Sequence, residues 1–505
     1  MSIYGDVRHH SLDGLRGILC CIVVIHHFRC GFFPCAVFGP NAEWVTNPRE
    51  VCDEDTSQPY FVPLLYPFVN GTFAVAVFFV MSGFVLSQRL LFRDSIELTS
   101  GDSDTRISFH QRMKLAAAKR FFRLLFPVAA ALVFADVLGF FRFHISAAEL
   151  SHSRWMLLYG PLKPSFPLGL FQQILSGVWQ GTCTLNNSIW TMQWELFGSF
   201  LVFGLVAVLR ESKYKKMILG ALCFYLVLPS SYIFSSVEMH FTYEDNQVVI
   251  VNPIKHDYIL EQILNTIDET TNFSILDKSY TSNKSNPNVQ VLDSPKYGLT
   301  NFDLLEKLAS KTQKTQSLVR TKNRKSATKF VWYAAFVAGV WLADNDNDNR
   351  DHSSMTMKPT PKWKTYTLIV IVFFSATLPL MQGSLTVQST WIQNIRNVLG
   401  PESVNVWYMI GATCLVHIIL QAQPKFLTSN ICMRLGRLSY SLYLVHIPII
   451  FSVTSYLYAN GYSKWISCSI SFPVMLLAAE IFYRWVDEPS VRYSKVVGEL
   501  LLSMI

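Results

Sequence analysis

Charge is scarce in this chain: Asp, Glu, Lys and Arg together make up 15% of its 505 residues, against 50% hydrophobic and 14% aromatic residues. That shortage excludes an ordinary soluble enzyme, in which about a quarter of the residues carry charge. It suits membrane spans of about 20 apolar residues each. A CxxC pair is also missing among the ten cysteines, so no metal-ligand spacing is present and no metal is expected. No internal or inverted repeat is visible, which weakens a transporter reading. The first apolar run lacks a small-residue cleavage site and is read as a signal anchor. The net charge of +8 is spread over loops, so it marks topology and gives no footprint for nucleic acid.

What is present begins with Arg16 and His27, both inside the first apolar run, LDGLRGILCCIVVIHHF. Ionisable groups are costly in a bilayer and usually have a task there. An eleven-residue step turns a helix by about 1100°, close to three full turns, and rises about 16 Å. The two side chains therefore share one sector of the helix, too far apart for a direct ion pair. They read as the lower and upper ends of one polar track.

Apolar patterning predicts an all-α membrane protein, a polytopic bundle of about ten transmembrane helices. The candidate spans run roughly over 12–32, 68–91, 121–141, 189–209, 215–234, 330–343, 364–381, 404–421, 437–458 and 464–486. Residues 1–234 hold spans one to five, and 330–492 hold spans six to ten, followed by a tail over 493–505. Basic residues gather between spans two and three, at Arg210–Lys216, around Lys364, at Lys425–Arg437 and in the tail. The positive-inside rule then puts both termini in the cytoplasm. Residues 235–329 are polar and rich in Asn, Ser, Thr and Lys, and are expected to be a loosely ordered, non-cytoplasmic insertion. It carries the glycosylation sequons at Asn272 and Asn283; Asn186 and Asn70, outside it and close to spans, are weaker candidates. Cys35 and Cys52 share the first outer loop and can pair in an oxidising compartment, with Cys183 as a competitor.

Six ordered segments carry a resemblance: LDGLRG with its downstream histidine, FFVMSGFVLS (Phe78–Ser87), KRFFRLLFP (Lys119–Pro127), SIWTMQWELF (Ser188–Phe197), LGRLSYSLYLVHIPII (Leu435–Ile450) and YRWVDEPSVR (Tyr483–Arg492). Together they resemble acyltransferase family 3, integral-membrane O-acyltransferases that modify sugars, glycans, lipids and some secondary metabolites. The resemblance implies transfer of an acyl group, most simply acetyl, from acyl-CoA to a hydroxyl on a carbohydrate, lipid or metabolite. It departs from the family pattern at Ala76, where many members carry an acid, and the polar insertion lies outside the common frame.

The candidate site combines that resemblance with helix-depth arithmetic. Arg16, Arg120 and Arg123 cluster at the cytoplasmic edge and suit the phosphates of acyl-CoA, because a guanidinium offers forked donors to oxyanions. His27 is the candidate general base, or a transient acyl carrier, and Glu195 reaches the same depth and can fix its tautomer. His446 falls near the midplane and joins His27, Arg16 and Glu195 in the catalytic set. Ser82 reads as a close-packing residue, and His26, Tyr440 and Tyr443 as structural. The competing class is a ten-span transporter or channel for a small polar solute, motivated by the same polar track. The membrane is expected to be that of the secretory pathway or the cell surface, and the acceptor is left open.

Overall fold

The computed structural model describes residues 9–38, 44–48, 51–52, 63–99, 109–161, 168–232, 240–244, 247–251, 289–291, 331–346, 362–377 and 403–503. The chain divides into two compact units, one of residues 1–231 with 327–505 and one of residues 232–326. In the second unit three short antiparallel strands, His240–Glu244, Gln247–Val251 and Val289–Val291, pair in chain order. Asn272 and Asn283 lie outside the described residues.

The first unit is built of helices. Those used below are α1 (His10–Phe32), α2 (Pro34–Phe38), α3 (Gly71–Thr99), α4 (Phe109–Gly139), α5 (Phe143–Ser151), α6 (Arg154–Tyr159), α7 (Leu168–Gln180) and α8 (Trp190–Leu209). They continue as α9 (Lys215–Tyr232), α10 (331–346), α11 (Lys362–Thr377), α12 (Ser403–Ala422) and α13 (Asn430–Ile449). After α13 come α14 (Ser455–Ala459), α15 (Lys464–Phe482) and α16 (Glu488–Ser503). Among the described residues seven helical stretches are long and apolar enough to cross a membrane: His10–Phe32, Gly71–Gln88, Met113–Gly139, Asn187–Leu209, Val404–Ala422, Asn430–Ala459 and Lys464–Leu501. The expected count of about ten is therefore met only in part. α9, α10 and α11 occupy the other three expected places, but α11 is only 16 residues long and α10 ends in Asp344 and Asp346.

Contacts at the helix termini show which ends share a side. His9, at the start of α1, and Gln88, in α3, both meet Asp346 at the end of α10. Lys215 of α9 pairs with Asp344 of α10 at 2.5 Å. At the other end of α1, Phe33 packs on Trp465 at the start of α15, and the Cys30 carbonyl accepts from the Ser153 hydroxyl. Cys35 and Cys52 form a disulfide there, while Cys183 stays free.

Two of the sequons are structural. Asn70 is buried and donates its amide to the Ala376 carbonyl at 2.8 Å and to the Tyr408 hydroxyl at 3.1 Å, while its own oxygen caps α3 at Phe73. Asn186 is 0% exposed. Neither amide is available to carry a glycan.

The packing that matters most is between α1 and α13. Gly17 and Gly436 face one another, and a Cβ added at Gly17 would stand 2.6 Å from the Gly436 nitrogen. Glycine at both positions lets the two backbones touch, as small residues do wherever membrane helices pack closely. The register then holds at one offset of 419 residues, linking Cys20 to Ser439 and His27 to His446. The two helices thus run parallel, with the LDGLRG and LGRLSYS segments interlocked.

Candidate active site

The parallel register brings two histidines from opposite ends of the sequence into contact. His27 Nδ1 lies 2.9 Å from His446 Nε2, with ring centroids 5.0 Å apart. His446 Nδ1 lies 2.7 Å from the Tyr443 carbonyl and 3.2 Å from that of Leu442. A carbonyl oxygen can only accept, so in neutral His446 the proton sits on Nδ1 and leaves Nε2 as an acceptor. His27 must then donate from its own Nδ1. The lone pair of His27 Nε2 is left free, which is the atom a general base needs.

Each member of this chain is held by its surroundings. His446 is 0% exposed, whereas His27 is half-buried. Trp155 of α6 stacks on the His27 ring at 5.7 Å between centroids and 18° between planes. Pro448 has no backbone N–H, so the carbonyl four residues earlier loses its helical partner. That carbonyl, Leu444, accepts instead from the Asn186 amide at 2.8 Å. A π-turn over Ile450–Thr454 follows, the kind of helical irregularity often found beside functional residues. Tyr443 donates to the Ser188 carbonyl at 3.0 Å and contacts the Thr191 hydroxyl at 2.9 Å, which ties α13 to the start of α8.

A second cluster stands about 16 Å down α1 from His27. Glu195 of α8 pairs with Arg120 of α4 and accepts from the Ser82 hydroxyl at 2.9 Å and 3.2 Å. Arg120 Nε also donates to Ser199 at 2.8 Å. The expected Glu195–His27 pairing is therefore not formed: His446 occupies the hydrogen-bonding edge of His27, and Glu195 serves Arg120. Depth along a helix is one coordinate only, and a match in depth left the facing direction of the carboxylate open.

Arg16 and Arg123 complete this cluster. Both lie within electrostatic range of Asp487, which sits on a second π-turn over Tyr483–Asp487. Neither guanidinium makes a hydrogen bond or ion pair with any described residue, although Arg16, Arg120 and Arg123 are all half-buried. Asp487 is 6% exposed; Ser441 donates to one of its oxygens at 3.5 Å, and the other has no partner. Asp13 of α1 also lies within electrostatic range of Arg16, so three arginines face three carboxylates, and the N–H donors of Arg16 and Arg123 stay unused by any described residue. Among the described residues no group of three or more His, Cys, Asp or Glu side chains is arranged to hold a metal.

Sequence reasoning passed over Trp155, Asn186 and Asp487. Pro448 was the available signal for Asn186, since a proline inside a buried helix creates a carbonyl that something must satisfy. Ser82 reads from sequence as a packing residue, and it does pack, but its hydroxyl also fixes Glu195.

The family model described as an acyltransferase domain matches residues 9–267 and 281–484. The chain belongs to that acyltransferase family, acyltransferase family 3. The match runs into the polar insertion up to residue 267 and resumes at 281, so more of the insertion lies within the family frame than its composition implied. No curated protein and no solved structure matches the chain.

Proposed function

We propose that the protein is a membrane-embedded O-acyltransferase that moves an acyl group, acetyl in the simplest case, from acyl-CoA to a hydroxyl of a carbohydrate, lipid or secondary metabolite. The observation that carries this reading is the histidine pair, in which His446 dictates the tautomer of His27 and leaves Nε2 free. In the reaction, His27 Nε2 removes the proton from the acceptor hydroxyl as its oxygen attacks the thioester carbonyl. The C–S bond then breaks, and the departing CoA thiolate takes the proton back from the imidazolium. His27 ends unchanged, so no further reactant is needed. His446 is a positioning residue, in the role a carboxylate plays in triad-like sites.

Arg16, Arg120 and Arg123 are the groups we assign to the donor's phosphates. The unused donors of Arg16 and Arg123 support that role, since guanidinium and phosphate form forked, charge-assisted hydrogen bonds. Glu195 and Ser82 hold Arg120 in place, and Glu195 is thereby a positioning residue of the donor site. The arginine-bearing end suits the cytoplasm, where acyl-CoA resides and where basic loops belong. The opposite end carries the Cys35–Cys52 disulfide and suits an oxidising compartment, which supports two cytoplasmic termini in a secretory-pathway or plasma membrane.

The test uses the purified full chain with radiolabelled acetyl-CoA and a panel of sugar and lipid acceptors. The expected result is labelled ester formed by the native chain and formed about 10³-fold more slowly with His27→Ala. Solute flux into liposomes that needs neither CoA nor His27 would revive the transporter reading and remove this one.

A further inference from the structure

A second basic site lies away from the histidine pair, on the flank of α13 and α15. Arg434, Arg437, Leu438, Glu480, Tyr483 and Arg484 line a cleft of about 320 Å³. Three guanidiniums meet a single carboxylate there. Glu480 binds Arg484 at 2.7 Å and Arg434 at 3.4 Å, while Arg437 makes no hydrogen bond or ion pair with any described residue. The cleft therefore keeps two positive charges that no described residue neutralises. Exposed apolar side chains stand close by in the chain: Trp485 is 80% exposed and Ile431 75% exposed. Arginines interleaved with exposed Trp and Tyr mark the headgroup level of a bilayer, and basic pockets between transmembrane helices bind phosphorylated lipid headgroups.

We infer that this cleft is a binding site for a phosphate ester, seated on Arg434, Arg437 and Arg484 with Tyr483 as its apolar wall. Two sources carry that chemistry at such a position: the 3′-phosphorylated nucleotide end of CoA, and the headgroup of a phosphoinositide in the adjoining leaflet. Tyr483 and Arg484 begin the π-turn that ends at Asp487, so the cleft opens one helical turn from the Arg16–Arg123 cluster. A nucleotide here would leave the rest of the donor to run inward. A lipid here would link membrane composition to the geometry of that π-turn. The site does not depend on the transfer chemistry, because binding is read without turnover.

The experiment titrates the full chain in detergent with 3′,5′-ADP, and in phosphatidylcholine nanodiscs with a short-chain phosphatidylinositol 4-phosphate, by calorimetry. Saturable binding in either arm is expected, and the arm that responds identifies the source. Arg437→Gln should weaken that binding about tenfold, the effect of losing one charge-assisted contact. Arg437 makes no hydrogen bond or ion pair with any described residue, so this variant should fold normally, which a thermal melt checks. Arg484→Gln should weaken binding comparably. No saturable binding in either arm, or native affinity in both variants, overturns the inference.

Discussion

The two ends of the polar track on α1 are built differently. At the His27 end every hydrogen-bonding edge but one is assigned: Tyr443 and Leu442 take the His446 proton, His446 takes that of His27, and Asn186 fills the carbonyl that Pro448 vacates. At the Arg16 end the accounts stay open. Arg16 and Arg123 have no hydrogen-bonded partner among the described residues, and one buried oxygen of Asp487 has none. Unsatisfied buried polar groups are costly, and the open guanidinium donors are the feature on which the proposed donor site rests. The contrast teaches a division of labour. On the proposed function, one end is preorganised for chemistry and the other offers its open guanidinium donors to the phosphates of the acyl donor.

Several substitutions break or sharpen that contrast. The largest effect is expected at the finished end, where His27→Ala should lower kcat about 10³-fold in an acetyl-transfer assay with little change in donor KM. His446→Ala should cost about 10²-fold in kcat. His446→Gln should recover part of that loss, because a side-chain carbonyl can still accept from His27 Nδ1. Equal losses in the two His446 variants would reduce His446 to a packing residue. The open end should respond in the other parameter. Arg16→Lys should raise the donor KM about tenfold and leave kcat within a few-fold, since a lysine keeps the charge and loses the fork. A kcat loss as large as that of His27→Ala would merge the two ends into one function. The smallest effect concerns support alone. Asn186→Ala leaves the Leu444 carbonyl buried without a donor and should cost about 1–3 kcal/mol of stability, read as a lowered Tm in detergent.

Much of the frame was legible in the sequence because it depends on local properties. Apolar length located the long spanning helices but not the short α5, α6 and α7 between them, and the eleven-residue step put Arg16 and His27 on one face of α1. The six ordered segments pointed to the family that the domain match bears out. Partnership was harder to read. His27 and His446 are 419 residues apart, and nothing local to either histidine states that α1 and α13 lie parallel in glycine-to-glycine register. Gly17 and Gly436 hold that information, but a glycine signals close approach without naming what approaches. Glu195 shows the same limit from the other side, since its depth was estimated while its direction was not. Asn70 and Asn186 matched a glycosylation pattern of three residues, whereas burial and hydrogen bonding decided their role.

The account rests on His27 and His446 acting as one unit, and a double-mutant cycle on kcat tests this most directly. If His446 works only through the tautomer of His27, then His27→Ala and His27→Ala/His446→Ala should have the same residual rate, within about twofold. A double variant slower than His27→Ala by the full factor that His446→Ala causes alone would show two independent contributions and contradict the hydrogen-bonded relay.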